Sequence, residues 1–271
     1  MNFFDKVLQF YIKSSIHVAL AVMALVEVTH FKLHLVTNQQ IAIFSFFGTI
    51  VGYNFVKYIT LEPIKNAIMG SELKAIYGMT SLAFLVSFFV FFKLHFVSKI
   101  VAVLFLLLTI LYAFPILPNK KNARNWSGVK IYIVALCWAG VTVILPVIDR
   151  HVPLTQTFFI VCVQRFILVY VLTLIFEIID LKSDALYLQT VPQKMGLAKT
   201  KFLGGILLVV FWGLEFFNEQ SNLKFILIEG IIALVVALFL LFANENRSKY
   251  YSIFWVESIP VLWWGVLFIL N

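Results

Sequence analysis

Glu177, Asp180 and Asp184 fall together at the end of a long apolar run, within FEIIDLKSDALYLQTVPQKMG (Phe176 to Gly196). On a helix of about 3.6 residues per turn the three carboxylates project within about 60° of one another. Like charges so placed repel and raise one another's proton affinity unless a cation compensates. A divalent metal answers that need. Mg²⁺ suits it best, because hard oxygen ligands and an incomplete protein cage leave room for water and phosphate oxygens. The competing reading is a solvated helix end whose acids balance Lys182, Lys194, Lys199 and Lys201, and exposed pairs of that kind contribute little.

The elements that must position these acids are membrane spans. Of 271 residues, 62% are hydrophobic and 13% charged, with a mean hydropathy of +0.98, whereas soluble domains are about one-quarter charged. Spans need about 20 apolar residues each. The chain divides at its charged clusters into nine: 14 to 34, 40 to 58, 77 to 94, 97 to 118, 128 to 148, 156 to 178, 202 to 218, 223 to 243 and 251 to 270. The break within 77 to 118 is the least distinct, so eight or ten spans remain open. The expectation is an all-α, polytopic transmembrane bundle around a central cavity, with residues 1 to 271 forming a single transmembrane domain. The amino-terminal MNFFDKVLQFYIK lacks the apolar core and small-residue cleavage site of a signal peptide.

Lys and Arg set the orientation. They gather at the amino terminus and in alternate loops, for example Lys57, Lys65 and Lys74, then Lys120, Lys121, Arg124 and Lys130. The intervening loops hold only Lys32, Lys93, Lys99, Arg150 and Lys224. The positive-inside rule puts the amino terminus and the acidic cluster on the cytoplasmic side and Asn271 outside. The formal charge of +8 fits topology and anionic lipid headgroups, not nucleic acid. Cys137 and Cys162 read as packing residues. His17, His30, His34, His95 and His151 are scattered and make a weak case for haem or zinc.

Downstream of the acids, Thr190, Pro192 and Gly196 complete an order that resembles the second signature of the UbiA superfamily of intramembrane aromatic prenyltransferases, roughly DxxDxxxDxxxGxxTxPxxxG. Glu177 stands for the first Asp, Asp180 and Asp184 match, and Leu188 replaces the usual Gly. LYAFPILPNKKNARNWSGVKIYIVALCWAGV, with Tyr112, Pro115 and Trp138, is similar to the segment joining spans four and five. Asn54 resembles the start of the first signature, NDxxDxxxD, which here is degenerate: Phe55 and Tyr58 occupy Asp positions and Glu62 keeps a carboxylate.

The resemblance implies a central cavity in which two acidic motifs bind a prenyl diphosphate through Mg²⁺, and an allylic cation captured by an acceptor that is often aromatic. Metals neutralise the leaving group while an apolar chamber excludes water. It places Glu177, Asp180 and Asp184 at the metal, with Asn54, Glu62, Lys57 and Lys121 on the diphosphate side and Lys65 as a further cation. Tyr58 and Tyr112, together with Tyr170, are expected to line the cavity. Trp263 and Trp264 are expected to anchor an interface.

Glu27, Arg165, Glu229 and Glu257 fall inside spans, where a charge costs several kcal/mol unless paired or hydrated. Arg165 is expected to brace the bundle against Glu257 or Glu27; binding a substrate carboxylate is the alternative. Gln164 and Glu215 are less diagnostic. The leading function is Mg²⁺-dependent prenyl transfer in a bacterial-type cytoplasmic membrane, with an unidentified acceptor. A catalytically degenerate relative that binds lipid, or serves as a subunit of a membrane assembly, competes with it. A transporter has little support, since no paired Gly- or Pro-broken spans appear.

Overall fold

The computed structural model describes residues 3–59, 70–113 and 128–270. These residues form an all-α bundle. Its helices are α1 (Phe3–Lys13), α2 (Ile16–Lys32), α3 (Gln39–Ile59), α4 (Ser71–Lys93), α5 (Phe96–Ala113), α6 (Lys130–Ala139), α7 (Leu145–Asp149), α8 (Gln156–Ile179), α9 (Val191–Met195), α10 (Leu197–Gly213), α11 (Leu223–Phe242) and α12 (Ile259–Leu270). Among the described residues eight helices are long and apolar enough to cross a membrane, and nine if α1 and α2, bent by 59° at Ser14 and Ser15, count as one span. The chain is a multi-pass membrane protein.

The third span begins earlier than hydropathy alone suggests, at Ser71, and the seventh at Leu197, because polar residues at a span end still complete helical turns. Two π-helical turns, Gly140–Ile144 and Tyr251–Val256, widen the fifth and ninth spans. Such turns shift the backbone hydrogen-bond register and free groups for contacts outside the helix. Thr142 uses this freedom. Its carbonyl accepts from Thr29 Oγ1 at 2.6 Å, and its hydroxyl accepts from Arg165 Nη1 at 2.7 Å.

α8 is the central helix: 72% of its apolar window lies inside the bundle, against 11% for α5. It packs on α6, α10 and α11, and Leu168, Leu174, Ile175 and Ile178 on it are fully buried. The outward rows of α4 and α5, including Phe84, Phe88, Phe92 and Leu104, are exposed, as a lipid-facing surface requires. Two hollows of about 370 and 160 Å³ open beside α4, one bordered by Val51, Tyr77 and Thr80, the other by Ile16, Phe46 and Ile50.

Arg165 does brace the bundle, but not through Glu257 or Glu27. It donates to the Leu25 carbonyl at 2.8 Å, to Thr142 Oγ1 and to Thr29 Oγ1 at 3.3 Å, and lies 5.5 Å from the Trp263 ring. Oriented dipoles and an aromatic face thus receive the guanidinium. Glu27 instead sits 3.2 Å from His30 Nδ1. Trp263 is 2% exposed, packed against Phe211 in the core, so it anchors Arg165 and not an interface. Tyr170 is also buried, between Tyr132 and Phe166.

The buried acids find their cation at Lys32, read from sequence as a loop lysine. Lys32 Nζ bonds Glu215 Oε2 and Gln164 Oε1, each at 2.8 Å, and also Glu229 Oε1. Gln164 Nε2 completes the network to Glu215 and Glu229 at 2.9 and 2.8 Å. All four side chains are essentially inaccessible. Removing one partner from a buried ion cluster strands the others, at a cost of about 3–5 kcal/mol. Lys32→Met is therefore expected to lower stability by about that amount. Combining it with Glu215→Gln and Glu229→Gln is expected to recover part of the loss, both read as thermal unfolding in detergent.

Candidate functional site

α8 ends at Ile179 with Asp180 as its cap residue, so the three acids do not share one helical face. The chain turns at once: Ser183 and Asp184 amides both donate to the Asp180 carbonyl at 2.8 Å. The carboxylates then part. Glu177, 3% exposed, accepts from the Val191 amide at 3.0 Å and so satisfies a free N–H in the first turn of α9. The TVPQKMG tail folds back on this turn, with the Thr190 amide donating to Gln193 Oε1 at 2.9 Å and Gln193 Nε2 donating to the Asp184 carbonyl at 3.2 Å. Gly196, at φ 80°, supplies a left-handed backbone position that a side chain would strain.

Lysines from other elements meet the acids. Lys130 Nζ, at the start of α6, lies 3.7 Å from Asp184 Oδ2, and Lys249 Nζ lies 3.4 Å from Asp180 Oδ1. Lys130 also interacts electrostatically with Glu177. Of the lysines that sequence offered as balance, Lys182 pairs with Glu245 at 3.6 Å and Lys201 donates to the Leu241 carbonyl at 2.7 Å. Lys130 and Lys249 carried no signal beyond their place among the loop cations.

At the first signature, Asn54 is buried and saturated. Its Nδ2 donates to the Ser14 carbonyl at 3.0 Å and to Thr80 Oγ1 at 2.8 Å, and its Oδ1 accepts from Ser15 Oγ at 2.7 Å. It ties the bend between α1 and α2 to α4. Lys57 and Tyr58 both donate to the Lys13 carbonyl, at 3.0 and 2.8 Å. Tyr112 is partly exposed at the end of α5 and interacts with Tyr53. Glu62, Lys65, Pro115 and Lys121 lie outside the described residues.

Asn54 and Asp180 stand at the same end of the bundle. Asn54 holds Ser14 and Ser15; His17, on the next turn, bonds the Phe254 carbonyl at 2.9 Å; and Lys249, just before that segment, pairs with Asp180. Among the described residues no three His, Cys, Asp or Glu side chains gather as a metal cage. Asp184 Oδ2 is nonetheless buried without a hydrogen bond, the state of an oxygen that can take a cation. One or two carboxylates fit Mg²⁺ when phosphate and water supply its remaining ligands.

Neither the models of known families nor the curated protein sequences give a significant match to the chain. Solved structures do. A UbiA homologue from Aeropyrum pernix K1, in its apo form, superposes with a TM-score of 0.67 at 12% identity, covering 94% of this chain and 98% of that one. A UbiA homologue from Archaeoglobus fulgidus bound to GPP and Mg²⁺ gives 0.63 at 10% identity, over 96% and 98%. A digeranylgeranylglyceryl phosphate synthase gives 0.60 at 12% identity, over 98% and 100%. The chain has the UbiA fold.

Because every polar atom of the Asn54 amide is engaged, Asn54→Leu is expected to lower stability by about 1–3 kcal/mol. Thermal unfolding in detergent checks this, with the loss expected to exceed that of Lys57→Met, whose ammonium is exposed.

Proposed function

We propose that this chain is an intramembrane prenyltransferase of UbiA type, taking a prenyl diphosphate and Mg²⁺ at Asp180 and Asp184 and passing the isoprenoid to an acceptor. The single observation that carries the reading is one oxygen of the partly exposed Asp184 carboxylate, Oδ2, which is buried without a hydrogen bond and lies 3.7 Å from Lys130 Nζ at the loop that follows α8. What supports it further is the fold shared with a homologue bound to GPP and Mg²⁺. When bound, the metal supplies charge neutralisation for the diphosphate leaving group. Lys130 and Lys249 bring ammonium groups to the same oxygens and assist in holding that anion. Glu177 acts by position: its bond to the Val191 amide fixes the α9 turn against α8. The orientation proposed has the acids facing the cytoplasm across a bacterial-type inner membrane, following the lysine distribution.

A second reading has an observation of its own. Asn54, Lys57 and Tyr58 spend their polar atoms on the α1 and α2 junction, and Phe55 brings no ligand, so the first motif offers no carboxylate among the described residues. A chain of this kind would hold an isoprenoid lipid or dock in a membrane assembly without turning a substrate over.

Magnesium-dependent binding of a non-hydrolysable prenyl thiodiphosphate to the purified protein is the test. Asp180→Asn with Asp184→Asn is expected to remove the magnesium-dependent part of the affinity, and unchanged binding by this double variant excludes the site. Binding without transfer to any of a panel of phenolic acceptors selects the second reading.

A further inference from the structure

Histidines that the sequence scatters are in one case brought together by the fold. His95 stands between α4 and α5, and His151 in the turn between α7 and α8; their ring centres lie 4.8 Å apart, with the planes at 68°. Both side chains are exposed, and among the described residues neither ring enters a hydrogen bond. They lie at the end of the bundle away from the acids, since His151 precedes the start of α8 and Asp180 caps its finish.

Buried groups beneath the pair hold its two elements together. Ser98, in the first turn of α5, donates to Asp149 Oδ1 at 2.9 Å, and both residues are buried. Asp149 ends α7, and its second oxygen accepts from Asn38 Nδ2 at 2.5 Å. Further along α5, the Phe105 ring lies so close over Gly140 that a Cβ there would fall 1.9 Å from its Cζ. His151 takes φ 53°, a left-handed position uncommon outside glycine, and its amide donates to the Ile148 carbonyl at 3.1 Å.

We propose that His95 and His151 form a binding site for a late first-row divalent metal ion, of the chemistry of Zn²⁺ or Cu²⁺, which clips the start of α5 to the turn before α8. Two imidazoles that bind one metal through nitrogen at about 2.0–2.1 Å and a near-tetrahedral angle place their ring centres about 5 Å apart. The observed spacing meets that requirement, and rotation about χ2 of two exposed side chains is free to bring a nitrogen of each ring to a shared point. Both Asp149 oxygens are engaged, so the site offers nitrogen, which suits Zn²⁺, Cu²⁺ and Ni²⁺ but not Mg²⁺ or Ca²⁺. Water completes the coordination. Of the neighbouring cations, Lys93 lies 4.4 Å from the Phe89 ring centre and Arg150 donates to the Thr37 carbonyl at 2.7 Å. Lys99, one turn into α5, opposes an ion held by charge alone. Only 11% of the apolar window of α5 lies inside the bundle, so the clip acts on a span with little other enclosure. The site is independent of the prenyltransferase reading.

The experiment measures Zn²⁺ binding to the tag-free, full-length protein in detergent by equilibrium dialysis in millimolar Mg²⁺, which occupies oxygen sites, with thermal unfolding read in parallel. Wild type is expected to bind about one Zn²⁺ per chain and to unfold at a higher temperature with it, because an ion held by the folded state stabilises that state. His95→Ala and His151→Ala are each expected to weaken binding by at least about tenfold and to lose the thermal gain. His34→Ala, which removes an exposed histidine outside the pair, is expected to change neither. Both paired side chains are exposed, so unfolding without metal stays unchanged; should His151→Ala shift it, His151→Asn, which tolerates the left-handed backbone, takes its place. Absence of Zn²⁺ binding in Mg²⁺ overturns the site, as does binding that survives loss of either histidine or falls equally in His34→Ala.

Discussion

A charge between membrane spans has no water to solvate it, so each one must be matched inside the bundle or cost several kcal/mol. Lys32, Glu215, Glu229 and Gln164 meet this condition together, and Arg165 meets it on carbonyl and hydroxyl dipoles. Gln164 and Arg165 are neighbours on α8. The network therefore clamps one end of this helix to α2, α10 and α11. Its 24 residues run about 36 Å, and Glu177 and Asp180 stand at the far end. The acids are placed by a rod whose other end is fixed by ion pairing.

At that far end the helix stops, and stopping is what separates the carboxylates. Continued as a helix, α8 would hold three like charges on one face beside its own negatively polarised carboxyl end. Ending it at Ile179 sends Glu177 to the α9 amide, leaves Asp180 at the cap facing Lys249, and carries Asp184 around the bend to Lys130. Each acid acquires a different partner. The arrangement leaves one oxygen, Asp184 Oδ2, without a hydrogen bond.

The spans were legible in the sequence because about 20 apolar residues between charged clusters admit little else, and the UbiA fold was legible from Asp180, Asp184 and the Thr190 to Gly196 tail. The end of α8 was not, since propensity alone does not separate a last helical turn from the bend after it. Nor were the partners of the buried charges. Lys32 counted as a loop cation and Trp263 as an interface anchor because hydropathy locates a residue along the membrane normal and says nothing about which face of its helix it occupies. Arg165 was expected to meet Glu257 or Glu27, on the premise that a charge seeks a charge. It is met instead by the Leu25 carbonyl and the hydroxyls of Thr29 and Thr142, the latter within the π turn Gly140–Ile144.

The loss of acids at Phe55 and Tyr58 bears on what kind of ligand the site can hold. In the proposed reading, one divalent ion together with Lys130 and Lys249 would face three carboxylates and a diphosphate, which leaves such a site net negative. A second metal would offset that, but the described part of the first motif has no carboxylate to hold one. Asn54 has been turned to tying the α1 and α2 bend to α4. A diphosphate bound there would therefore be held more weakly than by a complete pair of acidic motifs. Binding in that reading would lean on the isoprenoid chain, whose burial contributes about 0.8 kcal/mol per methylene. Under that reading such a balance would favour longer prenyl chains, since each added unit strengthens the apolar contact while the electrostatic deficit stays the same.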